Sequence, residues 1–132
     1  MNNSTLASYI QTARATINSI SVAEYRLSGK LTIDVREADE IRSQGAVPNA
    51  INIPRGLIEV VADTSLEKHN HTLAAAHSLG ATVDVICASG VRGALATKTL
   101  IEMGYKARNV DGGYEALKRD WRLNPDLVLH NC

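Results

Sequence analysis

Val83-Asp84-Val85-Ile86-Cys87-Ala88-Ser89-Gly90-Val91-Arg92-Gly93 is the stretch from which the rest of the chain can be placed. Residues 83–86 are a short apolar run of β-formers and predict a buried strand. Residues 93–103 carry Ala96, Leu100 and Met103 at helical spacing, a helix that Gly104 ends. Between them lies a strand-to-helix turn, where backbone N–H groups converge with the positive end of a helix dipole. A cysteine beside a helix N-terminus and a fixed cation is shifted toward its thiolate, the form that attacks. If the residues after Cys87 wrap into a cradle, their amides point inward as an anion-binding nest, with Gly90 free to take positive φ. Arg92 would add a planar charged fork suited to an oxyanion. The expected target is an electrophile carrying negative charge. No histidine lies nearby in sequence, so activation rests on the nest and dipole unless folding brings one in.

Working outward, the remaining pattern alternates short strands with helices. Leu6, Ile10, Ala13 and Ile17 recur at helical spacing over residues 5–18, an amphipathic helix expected on the outside of the core in a structural role. Ser19 and Ile20 leave room for only a very short strand. Ser21-Val22-Ala23-Glu24 fits a capping box and opens a helix that stops near Gly29. Residues 31–35 predict a strand meeting the charged loop Asp34-Val35-Arg36-Glu37, and residues 37–44 a helix stopped by Gly45. Val47-Pro48-Asn49-Ala50 is a turn in which Asn49 can take positive φ. Residues 50–53 predict a strand, 57–61 a short helix, 62–72 a polar surface loop, 73–79 a helix ended by Gly80, and 107–110 the last strand. Asp111-Gly112-Gly113 then leads to a helix with Tyr114, Leu117 and Trp121 on one face, followed by an extended tail. This order implies βαβ units around a parallel sheet covered on both faces. Ligands bind such sheets at the carboxyl ends of strands, so the loops after Val35, Ile53, Ile86 and Val110 should share one edge.

Totals bound the function. With 132 residues, a single core is expected to bury roughly two thirds of the unfolded surface. Fourteen basic and fourteen acidic side chains cancel, which gives no broad field for nucleic acid or anionic membrane. The first residues lack a basic segment followed by an apolar one, and the expected location is cytoplasmic. Cys87 and Cys132 do not make a disulfide framework, so Cys87 is expected as a free thiol. Cys132 could exchange with a sulfur-loaded Cys87, although a terminal residue is expected to fray. His69 and His71 lie in the polar loop without a third ligand at informative spacing, so no metal is expected.

Asp34-Val35-Arg36-Glu37, Gly45-Ala46-Val47-Pro48-Asn49-Ala50-Ile51-Asn52-Ile53-Pro54-Arg55-Gly56, Cys87-Ala88-Ser89-Gly90-Val91-Arg92 and Gly104-Tyr105 with Asp111-Gly112-Gly113 together resemble the single-domain rhodanese (sulfurtransferase) family. The resemblance implies an α/β three-layer sandwich, a five-stranded mainly parallel sheet with helices on both faces. It divides the chain into an N-terminal helical extension over residues 1–18 and one rhodanese-like domain over residues 19–132. It implies that Cys87 takes a sulfane sulfur from a small anionic donor such as thiosulfate and passes it, as a persulfide, to cyanide or a thiol. A protein thiol is a further candidate acceptor, and no cofactor is implied. The amides of Ala88, Ser89, Gly90, Val91, Arg92 and Gly93 would stabilise the persulfide, and Arg92 would hold the donor. Asp34 and Arg36 would support the site from behind, while Arg55 is expected to be solvated.

Departures from the family pattern bear on the shape of the site. Gly93 stands where a serine is common, removing a hydroxyl contact; Ala46 and Asn49 replace a histidine and a glycine, and Leu117 a tryptophan. Two other functions compete. Cysteine phosphatases and arsenate reductases occur on a related architecture, but phosphatases place one residue more between cysteine and arginine, a wider cradle than Cys87 to Arg92 allows. A non-catalytic rhodanese-like module that binds a partner protein would commonly have lost the cysteine.

Overall fold

A computed structural model describes residues 3–126. Helix α1 (Leu6–Thr16) starts at Thr5, whose hydroxyl accepts the Ser8 amide at 3.1 Å while the Ser8 hydroxyl accepts the Thr5 amide at 2.9 Å. Strand β1 (Asn18–Ile20) follows, then α2 (Val22–Arg26), opened by the reciprocal Ser21–Glu24 capping box. Next come β2 (Leu31–Asp34), α3 (Ala38–Gln44) and β3 (Ile51–Asn52), then a 3-10 turn at Arg55–Leu57 running into α4 (Ile58–Ala62). Helix α5 (His71–Leu79), β4 (Thr82–Ile86), α6 (Val91–Glu102), β5 (Lys106–Val110) and α7 (Gly113–Leu123) complete the described chain. Gly45, at φ 107°, ends α3, and Asn49 takes φ 61° in the turn before β3.

The sheet has five strands in the order β1-β5-β4-β2-β3, and every pairing is parallel. Strand β4 is central, with Val85 opposite Ile33 of β2 on one side and Asn109 of β5 on the other. Its side chains alternate between two cores. Val83, Val85 and Cys87 join Leu100 of α6, Leu73 of α5 and Ile58 of α4, whereas Ile86 joins Tyr25 of α2 and Leu117 of α7. Helix α1 packs outside α6 and anchors there through Ala13, which is fully buried. Among the described residues no helix is long and apolar enough to cross a membrane.

The first helix ends at Thr16, short of the expected 18, so that Asn18 belongs to β1, and three further differences from the expected boundaries have a local cause. Helix α6 begins at Val91 rather than 93, because Gly90 in the left-handed region reverses the chain and the next residue is already helical. Arg92 therefore belongs to the helix and not to the turn. Helix α5 begins at His71 rather than 73, because the Asn70 side chain accepts the Leu73 amide at 3.0 Å and caps it; its polar first turn hides the apolar periodicity. Strand β3 is only two residues long, and the Asn52 side-chain amide crosses to the carbonyls of Asp34 and Arg36 at 2.9 and 2.8 Å where a longer ladder was expected. The expected tail beyond Asp126, including Cys132, lies outside the described residues.

Candidate active site

Cys87 directly follows β4 and is 1% exposed. Its carbonyl accepts the Tyr114 amide at 2.7 Å, and the Ala88 carbonyl accepts the Glu115 amide at 3.0 Å, so the first turn of α7 takes up the outward side of the loop. This docking is why Asp111-Gly112-Gly113 ends in glycines. Gly113 sits at φ 61°, and a Cβ there would lie 2.4 Å from the Cys87 carbonyl oxygen. The Cys87 and Ala88 carbonyls are thereby committed to α7. Gly90 N–H donates to Cys87 Sγ at 3.0 Å, while the amides of Ala88, Ser89, Val91, Arg92 and Gly93 have no protein acceptor among the described residues. The loop thus holds one amide on the sulfur and five uncommitted donors next to it in the chain, at the N-terminus of a twelve-residue helix.

Arg92 is engaged by an acid that sequence reasoning missed. Its Nη1 and Nη2 donate to the two carboxylate oxygens of Glu40 on α3 at 2.5 and 2.8 Å. Glu40 also accepts the Glu37 amide at 3.0 Å. The hydrogen-bonded Arg92 fork holds the Glu40 carboxyl down at about 2 from an ordinary 4.5, against the opposing effect of partial burial. Arg92 is in turn pushed further up by Glu40, and the nearby Cys87 adds to that rise. Arg92 thus lies near Cys87 but spends its fork on joining α6 to α3. Glu40 was visible only as one more acid in a polar helix; nothing in its local pattern distinguishes it from Asp39.

Asp34 and Arg36 form a buried clamp behind the site. Arg36 is fully buried; its Nη2 donates to Asp34 at 2.7 Å and to the Gly45 carbonyl at 3.0 Å, and its guanidinium carbon stacks 4.1 Å from the centre of the Tyr114 ring. Tyr114 then donates its hydroxyl to the Gln44 carbonyl at 3.0 Å. The end of β2, the end of α3 and the start of α7, whose amides hold the cysteine loop, are tied by these contacts.

A second missed residue is Asn109 on β5. It is fully buried, its Nδ2 donates to the Gly90 carbonyl at 3.3 Å, and its Oδ1 has no hydrogen-bond partner among the described residues. A Cβ at Gly93 would lie 2.4 Å from that Oδ1 and 3.4 Å from Cys87 Sγ. The expected loss of a hydroxyl contact at Gly93 is therefore incomplete as a description: a carboxamide oxygen from β5 fills the space a side chain at 93 would need. Arg55, expected to be solvated, donates to Glu59 at 3.0 Å and to the Thr99 hydroxyl of α6 at 3.1 Å. His69 and His71 meet edge to face at 4.9 Å, and the described residues contain no cluster of three or more metal-ligating side chains.

Comparison with known proteins agrees with this architecture. The family model for the rhodanese-like domain matches residues 19–120. The chain is 37% identical over 90 residues to a Schizosaccharomyces pombe protein named "Putative thiosulfate sulfurtransferase, mitochondrial", covering 67% of this chain and 61% of that one. It is 36% identical over 84 residues to the Bacillus subtilis protein "Putative sulfurtransferase YtwF", covering 64% of this chain and 69% of that one. Among solved structures, a Rhodopseudomonas palustris protein of unknown function, described as a possible tyrosine phosphatase, superposes with a TM-score of 0.81 at 23% identity, covering 90% of this chain and 92% of its own. That likeness is one of fold. With a family match over most of its length, an all-parallel five-stranded sheet and the cysteine turn at the end of the central strand, the chain belongs to the rhodanese-like domain family.

Proposed function

We propose that this protein is a sulfurtransferase whose carrier is Cys87. The observation that supports this best is the loop itself: one buried sulfur with an N–H at 3.0 Å and five neighbouring amides without protein acceptors among the described residues. The Cys87 thiolate attacks the outer sulfur of a donor such as thiosulfate. A Cys87 S–S bond forms, the donor's own S–S bond breaks, and sulfite leaves with the electron pair. The terminal persulfide sulfur then carries a negative charge that the amides of Ala88 to Gly93 would receive. In the second half-reaction a thiophilic acceptor, cyanide or a small-molecule or protein thiol, attacks that terminal sulfur and Cys87 leaves as thiolate. No cofactor is needed for either step.

Arg92, pinned by Glu40, serves the cradle by fixing the first turn of α6 against α3, and lends its charge to the donor only as one half of an ion pair. Asp34 and Arg36 act at one remove, through Tyr114 and the loop carbonyls. A thiol that must stay reduced between turnovers suits a reducing compartment such as the cytoplasm. The test is intact mass after incubation with thiosulfate. The wild type should gain one sulfur atom, lose it to cyanide, and gain none as Cys87→Ser. A wild type that takes up no sulfur but hydrolyses an aryl phosphate would overturn the proposal.

A further inference from the structure

From Met1 to Ala23 the only charged side chain is Arg14, and it stands over the cysteine loop. Its Nη2 lies 3.7 Å from the point a Cβ on Gly90 would occupy, the same Gly90 whose amide donates to Cys87 Sγ. Arg14 is exposed and makes no ion pair or hydrogen bond to a side chain among the described residues. Its backbone is anchored, because the adjacent Ala13 is fully buried and the helix is capped at Thr5. The loop's own arginine is neutralised by a bidentate carboxylate. A dianion approaching the nest therefore meets an uncompensated cation from α1, a helix that lies before the residues matched by the family model.

We propose that Arg14 is the anion-binding side chain at the mouth of the Cys87 cradle, receiving the charged end of a small dianionic sulfur donor. Helix α1, which its amphipathic pattern alone marks as structural cover, then contributes directly to donor recognition. The absence of a side chain at Gly90 leaves the guanidinium room to approach the loop amides. The cation and the nest hold complementary parts of the donor: Arg14 the outer oxyanion, the amides the sulfur being transferred.

The proposal rests on sulfur transfer being the chemistry of Cys87, and two measurements separate the claims. In steady-state transfer from thiosulfate to cyanide, Arg14→Gln should raise the KM for thiosulfate roughly ten-fold with kcat within about two-fold, and Arg14→Lys should recover most of the loss. Independently, Cys87 alkylation is followed by peptide mass with iodoacetate, an anion, and iodoacetamide, its neutral counterpart. The iodoacetate-to-iodoacetamide rate ratio should fall about three- to five-fold in Arg14→Gln, a difference that about 0.5 M salt removes. Matching urea midpoints for the wild type and Arg14→Gln establish that both are folded. If both the KM and the ratio are unchanged in folded Arg14→Gln, the proposal is wrong. If the wild type takes no sulfur from thiosulfate, sulfur transfer fails as the function, and an unchanged or lowered alkylation ratio still decides whether Arg14 governs anion access.

Discussion

Replacing Gly93 by alanine should destabilise this protein, although the same change in an unobstructed helix would stabilise it by about 1 kcal/mol. Gly93 lies in the first turn of α6 with an ordinary helical backbone, so the penalty comes entirely from what a methyl would meet. That is Asn109 Oδ1 at 2.4 Å, with Cys87 Sγ just beyond at 3.4 Å. Asn109 cannot swing into solvent, being fully buried, and turning its carboxamide gives up the bond to the Gly90 carbonyl. Overpacking of this kind costs about 1–3 kcal/mol, which offsets the gain in helix propensity and leaves a net loss of about 1 kcal/mol. Asn109→Ala alone should cost about 1 kcal/mol, since it removes one hydrogen bond and opens a small cavity but also removes an unpartnered buried oxygen. On that background Gly93→Ala should become stabilising by about 1 kcal/mol, because its methyl enters vacated space. The coupling across the cycle is then about 2 kcal/mol, measurable from urea midpoints at constant slope. If Gly93→Ala stabilises the wild type as freely as it stabilises the Asn109→Ala protein, Asn109 does not occupy the missing side chain's place.

Other expected outcomes follow from the same contacts. The Glu40 carboxyl is held below its ordinary value in the folded state, so its contribution is complete above about pH 4.5 and disappears as pH falls toward 2. The fall to about 2 is worth up to ~3 kcal/mol, and water on the 27% of the side chain left exposed reduces this to about 1–2 kcal/mol. Glu40→Gln should therefore be less stable by about that amount at pH 7, with the gap to wild type closing between pH 4.5 and 2; a gap independent of pH would exclude the ion pair as its cause. Gly113→Ala places a Cβ against the Cys87 carbonyl at a left-handed φ and should cost about 3 kcal/mol in urea unfolding, with slower thiosulfate loading in the fraction that folds. Unchanged stability would mean that α7 does not dock on the loop as described. Arg36→Met strips a buried carboxylate of its partner and should cost about 3–5 kcal/mol, yet the folded fraction should load Cys87 to completion. A stable Arg36→Met protein that cannot be loaded would make Arg36 part of the chemistry instead of its support.

The fold was legible because its determinants are local. Val83, Val85 and Ile86 announce a buried strand without reference to any partner, and Ser21 with Glu24 caps α2 over three residues. Asp111-Gly112-Gly113 could be quoted as a motif, but why it ends in glycines appeared only when the α7 amides were seen on the Cys87 and Ala88 carbonyls. Boundaries failed where a polar cap, Asn70, or a left-handed glycine, Gly90, did the work of apolar periodicity.

The site was less legible because its side chains meet through space. Glu40 and Arg92 are brought together by the placement of α3 beside the start of α6, and neither shows a pattern on its own helix that names the other. Asn109 sits in β5 as one polar residue among charged and apolar neighbours; it becomes informative only with Gly93 across from it, where a missing Cβ and an unpartnered oxygen explain each other. Gly93 read alone is a lost hydroxyl, whereas the pair is an exchange of one polar atom for another beside the same sulfur. The exchange also changes what the site can do, because a serine hydroxyl could donate to a thiolate whereas Oδ1 can only accept. On the proposed chemistry, negative charge on Cys87 or its persulfide would then fall to backbone N–H groups such as that of Gly90, 3.0 Å from Sγ.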